Sequence, residues 1–347
     1  MALNPLTLKR LARFRAIKRG YVSFLILVGL LVLSIIGELF INSRAVLIRY
    51  NGNWSMPTYG AMHPGTDFGY DYAWEVNYRE LSRRVAVENK GDFVVMPPVP
   101  WNPYENDLRD DTFPPAAPSL VDQHYLGTDN TGRDVLARLA YGFRIAMGFA
   151  AILLIFEYSI GVTIGCLMGF IGGRFDLLLQ RIIEVWSNVP FLYVVIIISS
   201  VMTPDFLMLI VIMASFGWVG MTWYMRTATY KEKAREYALA ARAIGASTPR
   251  IIFRHILPNT ISIIITFVPF SIAGGISALT ALDFLGFGLP PPTPSWGELL
   301  NQGLERLDAV WIVGSVVIAT ITILVMVTFI GEAIREAFDP KLHTTYE

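Results

Sequence analysis

The chain has 347 residues, of which 54% are hydrophobic and 16% charged, and its 28 basic residues balance 28 acidic ones. Its apolar residues are concentrated in long runs, which is typical of an integral membrane protein. The net charge of zero argues against a nucleic-acid partner, and the single cysteine, Cys166, excludes an internal disulfide framework.

The amino-terminal tail, residues 1–20, is basic and contains no acidic residue. By the positive-inside rule such a tail lies in the cytoplasm. The apolar run at residues 21–41 is about as long as one bilayer crossing, and no small-residue cleavage pattern follows it. We therefore predict an uncleaved first transmembrane helix there, although a signal peptide begins in the same way.

Residues 42–144 leave the membrane and are rich in Pro, Asn, Asp, Tyr and Trp. Repeated prolines predict irregular structure with short strands. The region is too long for a simple loop, so we predict an extracytoplasmic insertion that ends in an amphipathic segment at the membrane interface. Recognition of a soluble partner and a purely structural cap remain equally open.

The motif GTDNTGRD, residues 127–134, contains oxygen ligands of the kind that calcium accepts. Its spacing does not match the EF-hand loop. A turn followed by a helix cap is therefore favoured over a metal site.

Five further apolar runs give six predicted spans in total and return the carboxyl-terminal tail, residues 335–347, to the cytoplasm. The resulting fold class is an all-α integral membrane protein with a five-helix core over residues 145–334. The five runs are residues 145–171, 182–203, 206–228, 261–282 and 310–330.

Ionisable residues within a bilayer are functional candidates by default. Most of those near the predicted spans lie close to a span end, where contact with the interface is the simpler explanation, but Glu157 lies in the middle of its span. Isolated carboxylates without a periodic relay make a proton pathway the less favoured interpretation. The five are Glu38, Glu157, Glu184, Asp283 and Glu332.

The polar stretch at residues 235–259, here called the interspan element, lies between the fourth and fifth spans. Its first half is rich in good helix formers, and Gly245 is predicted to end that helix. Thr248 and Pro249 resemble an N-cap and a first helical position, and Pro258 is predicted to close the second helix. We predict a cytoplasmic helix-turn-helix that serves as a docking site.

The connection at residues 282–300 is too apolar for a solvated loop and too rich in Pro and Gly for a continuous helix. Such backbone is tolerated at membrane depth only where protein or a water-filled cavity surrounds it. We predict that it folds back on the outer mouth of the bundle, as a gate or as structural packing. The candidate residues are Asp283, Gly286, Gly288, Pro290 and Trp296.

Motifs for enzymatic chemistry are missing from the sequence. It contains no G-x-x-x-x-G-K-[ST] phosphate loop, no H-E-x-x-H and no G-x-S-x-G. We therefore expect no catalytic residues and no cofactor bound by this chain.

The interspan element resembles the EAA loop of permease subunits of bacterial ABC importers. Ala240 and Ala241 match its two alanines, Gly245 its glycine, and Leu257 and Pro258 its closing Leu-Pro. Leu239 and His255 depart from the Glu and Ile of that pattern. The resemblance implies that the element couples the permease to an ATPase, through the five matching residues supported by Glu236, Arg242 and Arg250.

Further motifs resemble the second permease of dipeptide, oligopeptide and nickel importers, and within it the YejE-like permeases of oligopeptide and microcin C uptake. HYLGTDNTGRDVLARLAYGFRI from residue 124, IIFRHILPN from 251 and DFLGFGLPPPTPSWGELL from 283 carry the first resemblance. ARFRAIKRGY from residue 12, LIRYNGNW from 47, FIGEAIREAFDP from 329 and DFLGFGLP from 283 carry the second. The resemblance implies the type I importer fold and a place in the bacterial inner membrane. It also implies four partners: a second homologous permease, ATPase subunits carrying ATP and Mg²⁺, an extracytoplasmic peptide-binding protein and a peptide substrate.

Two other function classes remain as alternatives. An ion-coupled secondary transporter would bind its substrate at the midplane through broken helices and carboxylates. A membrane-anchored enzyme or adhesion module would place its activity in the insertion.

Overall fold

The computed structural model describes residues 5–88, 91–108 and 113–338, and in them the chain is mostly helical. In chain order the helices are α1 (Pro5–Ala16), α2 (Lys18–Ile35), α3 (Tyr78–Glu88), α4 (Val135–Ile171), α5 (Gly173–Ser187), α6 (Phe191–Val201), α7 (Phe206–Glu232), α8 (Glu236–Ala243), α9 (Thr248–Ile251), α10 (Leu257–Phe284), α11 (Trp296–Glu305) and α12 (Val310–Phe338). The strands are β1 (Leu47–Tyr50), β2 (Asn53–Ser55) and β3 (Phe93–Val95). The last nine residues of the predicted carboxyl-terminal tail lie outside the described ranges.

Five helical stretches of the described residues are long and apolar enough to cross a membrane: α2, α4, α7, α12 and the stretch from α9 through α10. The pair α5 and α6 meets the same test only when taken together, and it is bent by 62°. The predicted third span, residues 182–203, is therefore broken in the structure. Pro190 occupies the N-cap of α6 at this break, where its missing N–H costs no intrahelical hydrogen bond.

A stripe of glycines on α4 sets the direction in which α7 packs. A Cβ atom at Gly161 would lie 2.6 Å from the Trp218 carbonyl oxygen, and one at Gly165 would lie 2.5 Å from that of Thr222. Contacts therefore advance together along both helices, which means that α4 and α7 run parallel. Parallel neighbours require the chain to return between them, so the bent pair α5 and α6 completes the predicted set of six crossings.

The close approach of α4 and α7 predicts that alanine substitution destabilises the protein at one glycine of α4 but not at another. In Gly165→Ala the new methyl meets backbone, which cannot move aside, so the helices must separate at a cost of about 1–3 kcal/mol. In Gly148→Ala nothing lies within 4 Å of the new Cβ atom. Thermal unfolding in detergent should show a lower midpoint for Gly165→Ala alone, and equal midpoints for both variants would contradict this packing.

The amphipathic segment predicted before residue 145 is helical and continuous with the span that follows it, because α4 begins at Val135. The Asp134 side chain accepts a hydrogen bond from the Ala137 backbone N–H at 2.7 Å and so caps α4. Arg144 lies in the third turn of α4 and forms an ion pair with Glu38 at 3.2 Å, which gives its charge a partner within the bundle.

The insertion contains the short strands that its composition predicts, and it has a small core of its own. An antiparallel sheet of order β2-β1-β3 packs against α3. Asn51 and Gly52 both have positive φ and form the two-residue turn between β1 and β2, as is usual for Asn-Gly hairpins. The buried residues of this core are Ala45, Ile48, Phe68, Val76, Tyr78, Leu81 and Val85.

The insertion and the interspan element lie at opposite ends of α4. Arg138, near the start of α4, donates to the Pro103 carbonyl oxygen of the insertion, and Phe170, at the other end of α4, packs on the core of the interspan element. At about 1.5 Å of rise per residue, roughly 48 Å of helix axis separates the two residues. That distance exceeds the hydrocarbon core of a bilayer, about 30 Å, so the two regions lie on opposite sides of the membrane.

Candidate functional site

The interspan element is an ordered helix-turn-helix, as the sequence predicts. Helix α8 ends at Ala243, and Gly245 follows with φ of +80°. The Gly245 N–H donates to the Arg242 carbonyl and the Ala246 N–H donates to the Ala241 carbonyl, both at 3.0 Å. These two bonds form a Schellman motif, which needs the left-handed conformation that glycine adopts without strain.

The second half of the interspan element differs from the prediction at both ends. The N-cap position of α9 is Ser247, one residue before the predicted Thr248. Pro258 does not close the helix, because a π-helical turn at Ile252–Ile256 joins α9 directly to α10. The Leu257 N–H bonds to the Ile252 carbonyl in this turn, and the wider turn accommodates the proline that follows it near the start of α10.

The inner face of the element is a small apolar core of Ala238, Ala241, Ile251 and Ile256, against which Phe170 packs. Ala241 is 5% exposed and so contributes to the packing of the element itself.

The outer face of the element is open. Glu236, Ala240, Arg242, Gly245, Arg250 and Pro258 are exposed, and Leu257 is half-buried. Three large apolar side chains share this exposure: Leu239 at 53%, Ile244 at 86% and Phe253 at 50%. The exposed side of this ordered element therefore carries large apolar side chains as well as charged ones.

Side-chain contacts hold the element to the bundle. The Tyr237 hydroxyl donates to Glu232, at the end of α7, at 2.7 Å. Lys233, just before the element, donates to the Phe170 carbonyl oxygen at 3.4 Å and so joins the ends of α7 and α4. Burial and the hydrogen bond to Glu232 raise the pKa of Tyr237 to about 12. The phenol therefore stays protonated and keeps this bond at every physiological pH.

The connection between α10 and α12 folds back on the bundle through Asp283. One carboxylate oxygen of Asp283 accepts from the Leu289 N–H at 2.7 Å, and the other accepts from the Ser295 hydroxyl at 2.5 Å. Ser295 in turn caps α11 by accepting from the backbone N–H of Gly297 and Glu298. Asp283 thus fixes both ends of the turn that precedes α11.

Most of the other gate candidates in this connection shape its turns or pack against the bundle. Gly286 has φ of +79° in the turn that ends α10, and a Cβ atom at Gly288 would overlap Asp283. Trp296 is buried and donates its indole N–H to the Leu139 carbonyl at 3.0 Å. Pro290 is exposed. These contacts favour structural packing over a mobile gate in this conformation.

A buried ion network lies beside this connection, and sequence reasoning did not assemble it. Arg138 is fully buried and pairs with Glu298, while Arg133 bridges Glu298 at 2.7 Å and Asp129 at 2.8 Å. Arg138 also donates to the carbonyl oxygens of Pro103, Pro292 and Thr293. The network therefore fastens the end of the insertion, the start of α4 and α11 to one another.

Hydrogen bonds and ion pairs of Asp129 and Asp134 hold the GTDNTGRD loop in its conformation. One oxygen of Asp129 accepts from the Thr131 N–H and hydroxyl and from the Arg133 N–H, and the other faces the two arginines. Asp134 caps α4 and also holds the His124 imidazole at 2.8 Å. The turn and helix cap favoured by the sequence are what the structure contains, and no group of three potential metal ligands occurs in the described residues.

These features define a polytopic helical membrane protein with an ordered helix-turn-helix on the side of the membrane opposite its large insertion. The chain belongs to the family of binding-protein-dependent transport system inner membrane components, whose family model matches residues 161–344. Membership in this family identifies it as a multi-pass permease of ABC transporters and gives it a transport role.

Curated relatives cover nearly the whole chain. The inner membrane ABC transporter permease protein YejE of Escherichia coli is 40% identical over 98% of each chain. The peptidoglycan transport system permease protein YejE of Agrobacterium fabrum is 37% identical over 97% of this chain and 94% of its own length. The dipeptide transport system permease protein DppC of Bacillus subtilis is 36% identical over 70% of this chain and 75% of its own.

Among solved structures, a chain of the MetNI methionine ABC transporter in inward-facing conformations aligns with 58% of this chain and 97% of its own length. The sequence identity is 14% and the TM-score is 0.48, which is too low to carry an argument about this fold.

Proposed function

We propose that this chain is the permease subunit of an ATP-driven importer that carries peptides or peptide-like compounds across the bacterial inner membrane. The observation that carries the proposal is the open apolar face of the interspan element in a chain of this family. Separate ATPase subunits, which bind ATP and Mg²⁺, dock on this face. A second homologous permease completes the pathway, and an extracytoplasmic binding protein delivers the cargo.

The names of the relatives support a cargo that contains peptide bonds, since they include dipeptide and peptidoglycan transport. The basic amino-terminal tail and the six crossings support cytoplasmic positions for both termini. The interspan element then also lies in the cytoplasm, where ATPase subunits are found, and the insertion faces the binding protein. An ion-coupled secondary transporter is not favoured, because the family is defined by dependence on a binding protein.

Substitution of Gly245 tests the docking role. Gly245→Val forces a β-branched residue into the left-handed region, at a cost of about 1–2 kcal/mol, and should distort the turn between α8 and α9. We expect the variant to insert normally but to co-purify several-fold less ATPase subunit in detergent, with a matching loss of ATP-driven peptide uptake in proteoliposomes.

Gly245→Asn is the matched control. Asparagine tolerates the left-handed conformation, and nothing lies within 4 Å of a Cβ atom at this position. The asparagine variant should therefore resemble the wild type. Undiminished co-purification and uptake by Gly245→Val would count against docking at this element.

A further inference from the structure

Glu157 occupies a specific place in the packing of α4 on α7. It precedes Gly161 by one helical turn and so extends the glycine stripe that contacts α7. Its side chain lies over Gly217 of α7, where a Cβ atom would overlap the carboxylate group. The carboxylate fits at this position only because Gly217 has no side chain.

This carboxylate has no partner within the described part of the chain. No hydrogen bond or ion pair joins Glu157 to another described residue, and it is only half-buried. Along α4 the neighbouring charge is Arg144, which already pairs with Glu38. Along α7 it is Arg226, which binds Asp176 through two hydrogen bonds of 2.6 Å.

The surface of α7 that runs from Gly217 towards its carboxyl end exposes polar or small residues, unlike the exposed faces of α2 and α12. The exposed side chains of α2 and α12 are large and apolar, for example Leu25, Val32, Ile318 and Ile321. By contrast, the exposed residues of α7 from Gly217 onward are Gly217, Gly220, Tyr224, Thr227, Tyr230 and Lys231, while the exposed Leu207 and Val211 lie nearer the start of the helix.

A surface of this kind is unsuited to lipid. Ionisable residues within spans almost always face the interior of a bundle or a water-filled cavity, and they are paired there. The stripe of α7 beside Glu157 is therefore the part of this surface that suits an aqueous path, in which the carboxylate can meet a cation from outside the chain.

We infer that Glu157 is a binding site within the translocation path for the α-ammonium group of the transported peptide. This inference rests on the proposed function, because it takes peptides as the cargo. A peptide with a free amino terminus brings a compact cation with three N–H donors, which suits a carboxylate that lacks donors. A basic side chain of the second permease could supply the same chemistry, and the experiment separates the two sources.

The test uses the complete transporter with its binding protein in proteoliposomes. It compares ATP-driven uptake of one peptide and of its N-acetylated form, each preloaded on the binding protein. In Glu157→Gln the uptake rate of the free-amino peptide should fall about tenfold, as expected for the loss of a hydrogen bond to a charged group. The rate of the acetylated peptide should not change.

Two glycine variants of α7 provide an independent measurement. Gly217→Ala places a methyl group on the carboxylate and should shift the ratio of the two uptake rates in the same direction. Gly220→Ala adds the same methyl group one turn further on, where nothing lies within 4 Å, and should leave the ratio unchanged.

An equal fall for both peptides, or an unchanged ratio in Glu157→Gln, would overturn the inference. Loss of the second permease from purified Glu157→Gln complexes would overturn it as well, because the cation would then belong to that subunit. Failure of the wild-type complex to take up either peptide would instead refute the proposed function, and that result does not depend on residue 157.

Discussion

Ile244→Asp is expected to abolish ATP-driven uptake while the subunit still inserts into the membrane. Ile244 is 86% exposed at the end of α8 and is the most exposed of the three large apolar residues on the interspan element. A carboxylate placed there would be buried without a partner once the ATPase subunit docks. Such a charge costs about 3–5 kcal/mol, so uptake should fall by more than about a hundredfold.

Ser247→Asp is the control for this substitution, because it introduces the same charge three residues away. Ser247 is exposed and holds the N-cap position of α9, where aspartate is tolerated as well as serine. Uptake in proteoliposomes and co-purification of the ATPase subunit are the measurements. Full activity of Ile244→Asp would show that the apolar face is not the docking surface.

The second large effect is expected at Arg138. Arg138→Met leaves Glu298 with one cationic partner fewer and leaves the Pro103 and Thr293 carbonyl oxygens without a donor. Removal of one member of a buried ion network costs about 3–5 kcal/mol. The free energy of unfolding in detergent should fall by that amount, and limited proteolysis should cut the end of the insertion faster.

Arg306→Met is the matched control, since Arg306 forms an ion pair with Asp308 at an exposed position. That substitution should leave stability unchanged. Combining Arg138→Met with Glu298→Gln should restore part of the loss, because the carboxylate would no longer be buried with too few partners. A stable Arg138→Met single variant would contradict the role assigned to the network.

Local sequence signals predicted much of the fold. The apolar runs located the spans, and Gly245 marked the end of α8 because only one backbone conformation suits the Schellman turn. The break in the third span follows from Pro190, which lacks the N–H that a continuous helix needs. These features depend on a few consecutive residues, so the sequence is sufficient to predict them.

Features that depend on distant residues could not be predicted in this way. Arg138 and Glu298 are 160 positions apart, and nothing in either segment indicates that they pair. The burial of Ala241 depends on Ile251 and Ile256 folding back over it. The prediction that Pro258 ends a helix was wrong. Proline within a helix usually ends it, but here the wider π-helical turn before Pro258 accommodates the ring, and the local sequence does not indicate that turn.

The chain runs without a break from α9 into α10, so that the second half of the interspan element and the fifth span form one continuous helical segment. The π-helical turn replaces a flexible linker between the exposed interspan element and the span. Asp283 lies near the carboxyl end of this segment, and its carboxylate fixes the turn that precedes α11. A tilt imposed on the element by a docked partner would therefore pass to the opposite membrane face along one continuous helix, in which Pro269 removes a single backbone hydrogen bond.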